Sequence, residues 1–100
     1  MDFKEISQEE VSRLEREVYE VVVSKIEEKS LPYSVQIIIY EDVFTTGVQG
    51  DDRTYCPLVE VTLLKNGKVA YDKNLAHELG TEIPNKVRNT NRVVVTIPTN

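Results

Sequence analysis

The residue types that most often carry out covalent chemistry are scarce in this sequence, which has one histidine, His77, and one cysteine, Cys56. A nucleophile needs a neighbouring base, and that base needs a third group to orient it. His77 stands alone in a helix-like segment, and Cys56 precedes Pro57 at the start of a strand-like segment with no flanking base. We therefore expect no catalytic residue and no metal site, and we interpret Cys56 as a small buried apolar side chain.

A second group of polar residues falls within positions 47–55, which read G-V-Q-G-D-D-R-T-Y. Two glycines free the backbone there, while the amide of Gln49, the carboxylate of Asp51 and the guanidinium of Arg53 stand close together in sequence. Such groups can hold a phosphate or pair across an interface. The same composition is typical of a plain connecting turn, so the residues alone leave both interpretations open.

Composition predicts one small domain, residues 1–100, that binds neither nucleic acid nor membrane. The chain is 40% hydrophobic, which is enough for one modest core, and its net charge of −5 disfavours attraction to nucleic acid or anionic lipid. No apolar run approaches the ~20 residues that cross a bilayer, and no glycine-rich phosphate loop is present. With one cysteine and no internal disulfide, we expect a cytoplasmic protein without a cofactor.

These groups need a scaffold, and its first predicted element is a helix. Ser7 and Glu10 form the capping pattern S-x-x-E, which predicts a helix start at about Gln8. Apolar residues then recur at three- and four-residue steps and predict one buried stripe, made of Val11, Leu14, Val18, Val22 and Ile26. Pro32 is expected to end the helix.

Strand patterns follow the predicted helix. Residues 35–40 include three successive isoleucines, which predicts a strand covered on both faces and central in its sheet. Glu41 and Asp42 interrupt this run before a second extended stretch at 43–48. Residues 58–64 alternate between apolar and other side chains, and the dipeptide Asn66-Gly67 then predicts a hairpin turn into a strand over 69–71.

The remaining pattern predicts a helix over 74–79, which Gly80 and Pro84 break, so that it is short or restarts at Pro84. A last strand is expected over 92–97. The order of helix, three or four strands, helix and strand predicts an α+β fold. We expect a small, mostly antiparallel or mixed sheet with a long N-terminal helix and a shorter C-terminal helix packed on it.

Residues 47–55 resemble the G-V-x-G-D-x-R-[ST]-Y motif of the carboxyl-terminal dimerisation domain of GMP synthetase, with agreement at every fixed position. A second block, Asn91-Arg92-Val93-Val94, is similar to that family's N-R-V-V, and residues 83–87 resemble its last helix. Only these motifs are sharp, but the similarity in the order of elements spans most of the chain.

The resemblance implies a homodimerisation domain that contacts xanthosine monophosphate, the nucleotide that GMP synthetases amidate with ATP and glutamine-derived ammonia. Carried over by position, Gln49, Asp51, Arg53 and Arg92 are the candidate nucleotide-facing or interface residues. The chain has neither the family's glutaminase site nor its S-G-G-x-D-S loop. An ATP-pyrophosphatase subunit is therefore the implied partner, and the isolated chain is expected to be inactive.

The sequence also departs from the family. Phe44 stands where a lysine or arginine is usual, and Val95 and Thr96 replace the family's Y-D, with no match to the lysine- and glutamate-bearing tail that contacts nucleotide. Three hypotheses follow. The chain is a detached domain or accessory subunit in GMP biosynthesis, a non-catalytic homodimerisation or interaction module that has lost nucleotide binding, or a small-molecule sensor of unrelated function.

Overall fold

The computed structural model describes residues 7–49 and 52–99, with the backbone alone for 45–49 and 52–55. Within these residues, two helices and four strands follow one another. In order, they are α1 (Gln8–Glu28), β1 (Ser34–Gln49), β2 (Asp52–Lys65), β3 (Lys68–Ala70), α2 (Lys73–Lys86) and β4 (Val93–Val95). This is the α+β architecture expected from the sequence, with one long helix and one shorter helix.

Helix α1 begins where its capping pattern predicts. The side-chain oxygen of Ser7 accepts a hydrogen bond of 3.1 Å from the backbone N–H of Glu10, which satisfies one of the amides that lack a helical partner. The predicted stripe is buried in full: Val11, Leu14, Val18, Val22 and Ile26. The start and the buried face of this helix are therefore confirmed.

The end of α1 precedes Pro32 and depends on a backbone turn. Ser30 adopts a left-handed conformation with φ of 54°. The N–H of Leu31 donates to the carbonyl of Ile26 at 3.0 Å, and the N–H of Ser30 donates to Glu27 at 3.1 Å. This pair of bonds is a Schellman motif, which usually has glycine in the left-handed position.

The sheet is mixed, and β2 is its central strand. Strand β1 pairs antiparallel with β2, from Ser34 opposite Leu64 to Gln49 opposite Asp52. Strand β3 joins the far side of β2 through the predicted Asn66-Gly67 turn, in which both residues have positive φ, as a type I′ turn requires. Strand β4 lies parallel to β2, with Val93 opposite Val59.

The prediction that the isoleucine-rich strand is central is wrong. Strand β1 is the first strand in the order β1-β2-β3, and β4 also lies against β2. Of the strands that the structure describes, only β2 pairs with β1. The three isoleucines of β1 could indicate that both faces of the strand need covering. They could not indicate the order of the strands, because that order depends on partners distant in sequence.

The interruption at Glu41 and Asp42 is a bulge rather than a break in the strand. Tyr40 pairs with Leu58, whereas Phe44 pairs with the preceding residue of β2, Pro57. Residues 41–43 therefore have no residue of β2 across from them. Extra residues of this kind bend a strand and stop regular pairing locally. The bulge divides β1 into a base, residues 34–40, and a distal part, residues 44–49.

The prediction that α2 breaks at Gly80 and Pro84 is also wrong. The helix starts at the N-cap Asp72, whose carboxylate accepts from the N–H of Leu75 at 3.0 Å, and it continues to Lys86. Pro84 removes the hydrogen bond to the carbonyl of Gly80, but the helix is retained by its buried stripe: Leu75, Leu79 and Ile83. Packing at four-residue spacing outweighs the local preference of two residues.

Both helices cover one face of the sheet. Their buried side chains meet Val59, Val61 and Leu63 of β2 and Ile39 of β1 in a single hydrophobic cluster. Val93 and Val95 of β4 pack against the edge of that cluster. The opposite face of the sheet has no helix among the described residues.

Candidate functional site

The sheet face turned away from the helices is named here the outer face. Because side chains alternate along a strand, it carries the residues between those of the core. It consists of Ser34, Gln36, Ile38 and Tyr40 of β1, Leu58, Glu60, Thr62 and Leu64 of β2, Val69 of β3 and Val94 of β4. Ile38, Tyr40, Val69 and Val94 are between 36% and 42% exposed, so large apolar side chains on this face remain in contact with water.

A polar cluster lies in the middle of the outer face. The hydroxyl of Tyr40 donates to one oxygen of Glu60, and the hydroxyl of Thr96 donates to the other at 2.6 Å. The Thr96 hydroxyl also lies 2.8 Å from that of Thr62, and the Thr96 N–H donates to the carbonyl of Val61 at 3.0 Å. The cluster connects β1, β2 and the residue that follows β4.

This cluster keeps Glu60 ionised. The hydrogen bond from Thr96, followed by that from Tyr40, lowers the pKa of the Glu60 carboxyl, against a smaller opposing effect of burial. The same carboxylate raises the pKa of Tyr40, because the phenol donates a hydrogen bond to it. The outer face therefore carries exposed apolar side chains around an anionic group at its centre.

The free side of β1 over residues 34–40 is named here the open edge. Its residues, S-V-Q-I-I-I-Y, include no charge, no proline and no glycine, and none of the described strands pairs with this side. Proteins normally protect such edges with lysine, proline or bulges. Here the bulge begins only at Glu41, after the apolar residues, and Val35 and Ile37 are only half-buried although they face the core.

The described residues of the motif, 47–49 and 52–55, lie at the end of the β1–β2 pair that is distant from Ser34 and Leu64. The strands run further than predicted, because β1 includes Gln49 and β2 begins at Asp52. The backbone of Arg53 pairs with Val48. Asp51 lies outside the described residues, as do the side chains of Gln49 and Arg53, so their proposed roles remain predictions.

Arg92 lies in a different part of the fold. It is exposed and immediately precedes β4, whose first residue, Val93, is opposite Val59. Arg53 precedes Val59 by six residues in β2, which corresponds to roughly 20 Å of strand. The backbones of the two candidate arginines are therefore well separated within the chain.

The two residues first considered for catalysis, Cys56 and His77, lie in different surroundings. Cys56 is buried, as expected. His77 is exposed and lines an open cleft of about 740 Å³, and the described residues that line this cleft include no serine, threonine or cysteine. The lining residues are Lys29, Tyr71, Lys73, Asn74, Ala76, His77 and Glu78.

Charged residues on the helices form ion pairs that join distant parts of the chain. Arg13 binds Glu10 and Glu17 and also donates to the carbonyl of Arg88 at 3.0 Å. Lys25 of α1 lies 2.8 Å from Glu82 of α2, and this contact lowers the pKa of Glu82 and raises that of Lys25. The contacts that join Arg13 to Arg88 and Lys25 to Glu82 depend on the tertiary structure.

No family model matches the sequence, and no curated protein matches it either. Among the residues that the structure describes, no group of three His, Cys, Asp or Glu side chains could hold a metal ion. No helix in the same residues is long and apolar enough to cross a membrane.

Proposed function

We propose that this chain is a non-catalytic homodimerisation module of the type found at the carboxyl terminus of GMP synthetases. The supporting observation is the combination of the open edge with the exposed apolar residues beside it, Ile38 and Tyr40. Apolar surface of this kind, next to backbone groups that no described strand pairs with, is characteristic of an interaction site. The resemblance of residues 47–55 and 91–94 to the dimerisation domain independently favours the same function.

A second copy of the chain is the partner that this surface best fits. A two-fold dimer uses the same surface on both subunits, so one apolar edge is enough to form a closed assembly. The open edge carries no charge that would select an oppositely charged protein. We therefore expect this one edge to be sufficient for homodimerisation.

The solution mass tests this proposal. At tens of micromolar, an order-of-magnitude range for modest interfaces, light scattering should give twice the chain mass of 11.4 kDa. Ile38→Glu should produce the monomer, because it places a charge beside the open edge. Tyr19→Glu is the matched control, since Tyr19 is 49% exposed on α1, away from the sheet. A monomeric wild-type chain would contradict the proposal.

The accessory role in GMP biosynthesis is a second candidate, favoured by the exposure of Arg92 in the family-like motif. A guanidinium at the surface can bind a nucleotide phosphate. Titration calorimetry with xanthosine monophosphate should detect binding that Arg92→Ala abolishes and that Arg88→Ala, a nearby exposed arginine, preserves. Absence of heat with the wild-type chain would reject nucleotide binding while leaving dimerisation intact.

The isolated chain should not hydrolyse ATP, release ammonia from glutamine or aminate the nucleotide. Each of these steps needs a group that the sequence does not supply. In the accessory role, activity would require an ATP-pyrophosphatase subunit. Turnover by the purified chain alone would show that both the dimerisation and the accessory interpretation are incomplete.

A further inference from the structure

We infer that the second copy joins along the open edge, so that β1 of one protomer pairs antiparallel with β1 of the other and the two sheets become one continuous sheet. This inference rests on the proposed homodimer and specifies its interface. The competing arrangement stacks the two outer faces on each other. The two arrangements use neighbouring surfaces but place different residues at the two-fold axis.

The length of the open edge suits such a pairing. Residues 34–40 form a regular stretch of strand, because they pair with β2 without a shift in register. Seven residues extend over roughly 23 Å, and the bulge at residues 41–43 interrupts regular pairing beyond them. The bulge thus limits the shared ladder to the neutral, apolar base of β1.

Pairing at the edge also covers side chains that the protomer leaves half-exposed. Val35 and Ile37 point towards the helices but are only half-buried, since no described strand flanks them on that side. A partner strand would shield them, and it would place an Ile38 side chain beside its counterpart on the outer face. Cross-strand pairs of β-branched residues stabilise a sheet.

Stacking of the outer faces is disfavoured by the polar cluster at their centre. Glu60 is ionised there and receives its hydrogen bonds from Tyr40 and Thr96 of the same protomer. Stacking would remove two carboxylates from water, and none of the paired strand residues that form the described outer face is a lysine or arginine that could accompany them. Burying an unpaired charge is unfavourable, whereas edge pairing leaves Glu60 in contact with solvent.

Disulfide cross-linking distinguishes the two arrangements. In a Cys56→Ala background, single cysteines would replace residues 35–39 in turn, and matched variants would carry Val69→Cys or Val94→Cys on the outer face or Tyr19→Cys on α1. A residue near the two-fold axis of an antiparallel pair lies opposite its own copy, at a Cα separation of about 5 Å that a disulfide can bridge. One or two positions in the open edge should therefore oxidise to dimer about tenfold faster than the three controls.

Each outcome bears on a different part of the argument. Rapid cross-linking confined to the open edge, in variants that retain the wild-type circular dichroism spectrum, would support edge pairing. A dimeric mass with rapid cross-linking at Val94→Cys and none in residues 35–39 would overturn edge pairing and leave homodimerisation intact. A monomeric mass for the wild-type chain, with equally slow oxidation at every position, would overturn both.

Discussion

The two faces of the sheet have similar kinds of side chain in different surroundings. On the helix side, Val59, Val61 and Leu63 have no exposed surface, whereas on the outer face Val94 is 42% exposed and Leu64 is half-buried. All but Val94 belong to one strand, so the difference arises from what lies above each face. The comparison teaches that apolar content alone does not identify the core, because a covering layer is also needed.

The largest expected effect comes from two adjacent leucines that face opposite sides. Leu63→Ala should lower the free energy of unfolding by about 2–5 kcal/mol, because it leaves a cavity under the helices. Leu64→Ala, the matched change on the outer face, should cost about 1 kcal/mol, since its side chain already contacts water. Urea unfolding curves of both variants give the comparison. Equal costs would mean that the outer face is covered in solution.

A smaller effect should follow from disrupting the polar cluster of the outer face. Thr96→Val keeps the shape of the side chain but removes the hydroxyl that donates to Glu60 and contacts Thr62. We expect the free energy of unfolding to fall by about 1–2 kcal/mol, because one carboxylate oxygen and one hydroxyl lose a hydrogen-bond partner. Thr99→Val, at an exposed position, is the control in the same unfolding assay. No difference between the two variants would mean that water replaces the hydroxyl at no cost.

The smallest expected effect concerns pH. The pKa of Glu60 is lower in the folded chain than its ordinary value, so its contribution to stability is present above the ordinary carboxyl range and is lost as the pH falls through the folded pKa. Glu10 and Glu82 act in the same direction through Arg13 and Lys25. Glu60→Gln should therefore flatten only part of the acid limb of a plot of stability against pH.

Thermal melts at several acidic pH values would measure that plot. Glu20→Gln removes an equal charge from the exposed side of α1, and it controls for the change in net charge. If the acid limb of Glu60→Gln is as steep as that of the wild-type chain, the hydrogen bonds from Tyr40 and Thr96 to the Glu60 carboxylate do not contribute to stability. A limb that disappears altogether would assign the acid sensitivity to the outer face and not to the helices.

Local patterns predicted the parts of the fold that are themselves local. The cap at Ser7, the stripe of α1 and the Asn66-Gly67 turn each depend on residues within a few positions of one another. The edge position of β1 and the continuity of α2 through Pro84 depend on packing between distant segments. Sequence reasoning therefore assigned the elements and the fold class but misjudged strand order and one helix boundary.

The candidate site also has features that the sequence predicted and features that it could not predict. The alternation in β2 correctly placed Glu60 on the sheet face away from the core residues of that strand. The hydrogen-bond partners of Glu60 could not be predicted from the sequence. Tyr40 reaches Glu60 only because β1 pairs in one register, and Thr96 reaches it only because β4 runs parallel to β2. For Gln49, Asp51 and Arg53 the motif remains the sole basis of the prediction.

The parallel pairing of β4 with β2 has a consequence for the order of folding. The contacts between β1 and β2 and across the Asn66-Gly67 turn join strands that follow each other in the sequence. The contact between Val59 and Val93 joins strands that are separated in the sequence by β3 and α2. Contacts that close long segments form slowly, because the chain loses more entropy before it gains the pairing. We therefore expect β4 to dock after the hairpins and helices, so that Glu60 acquires its Thr96 donor in the last step of folding.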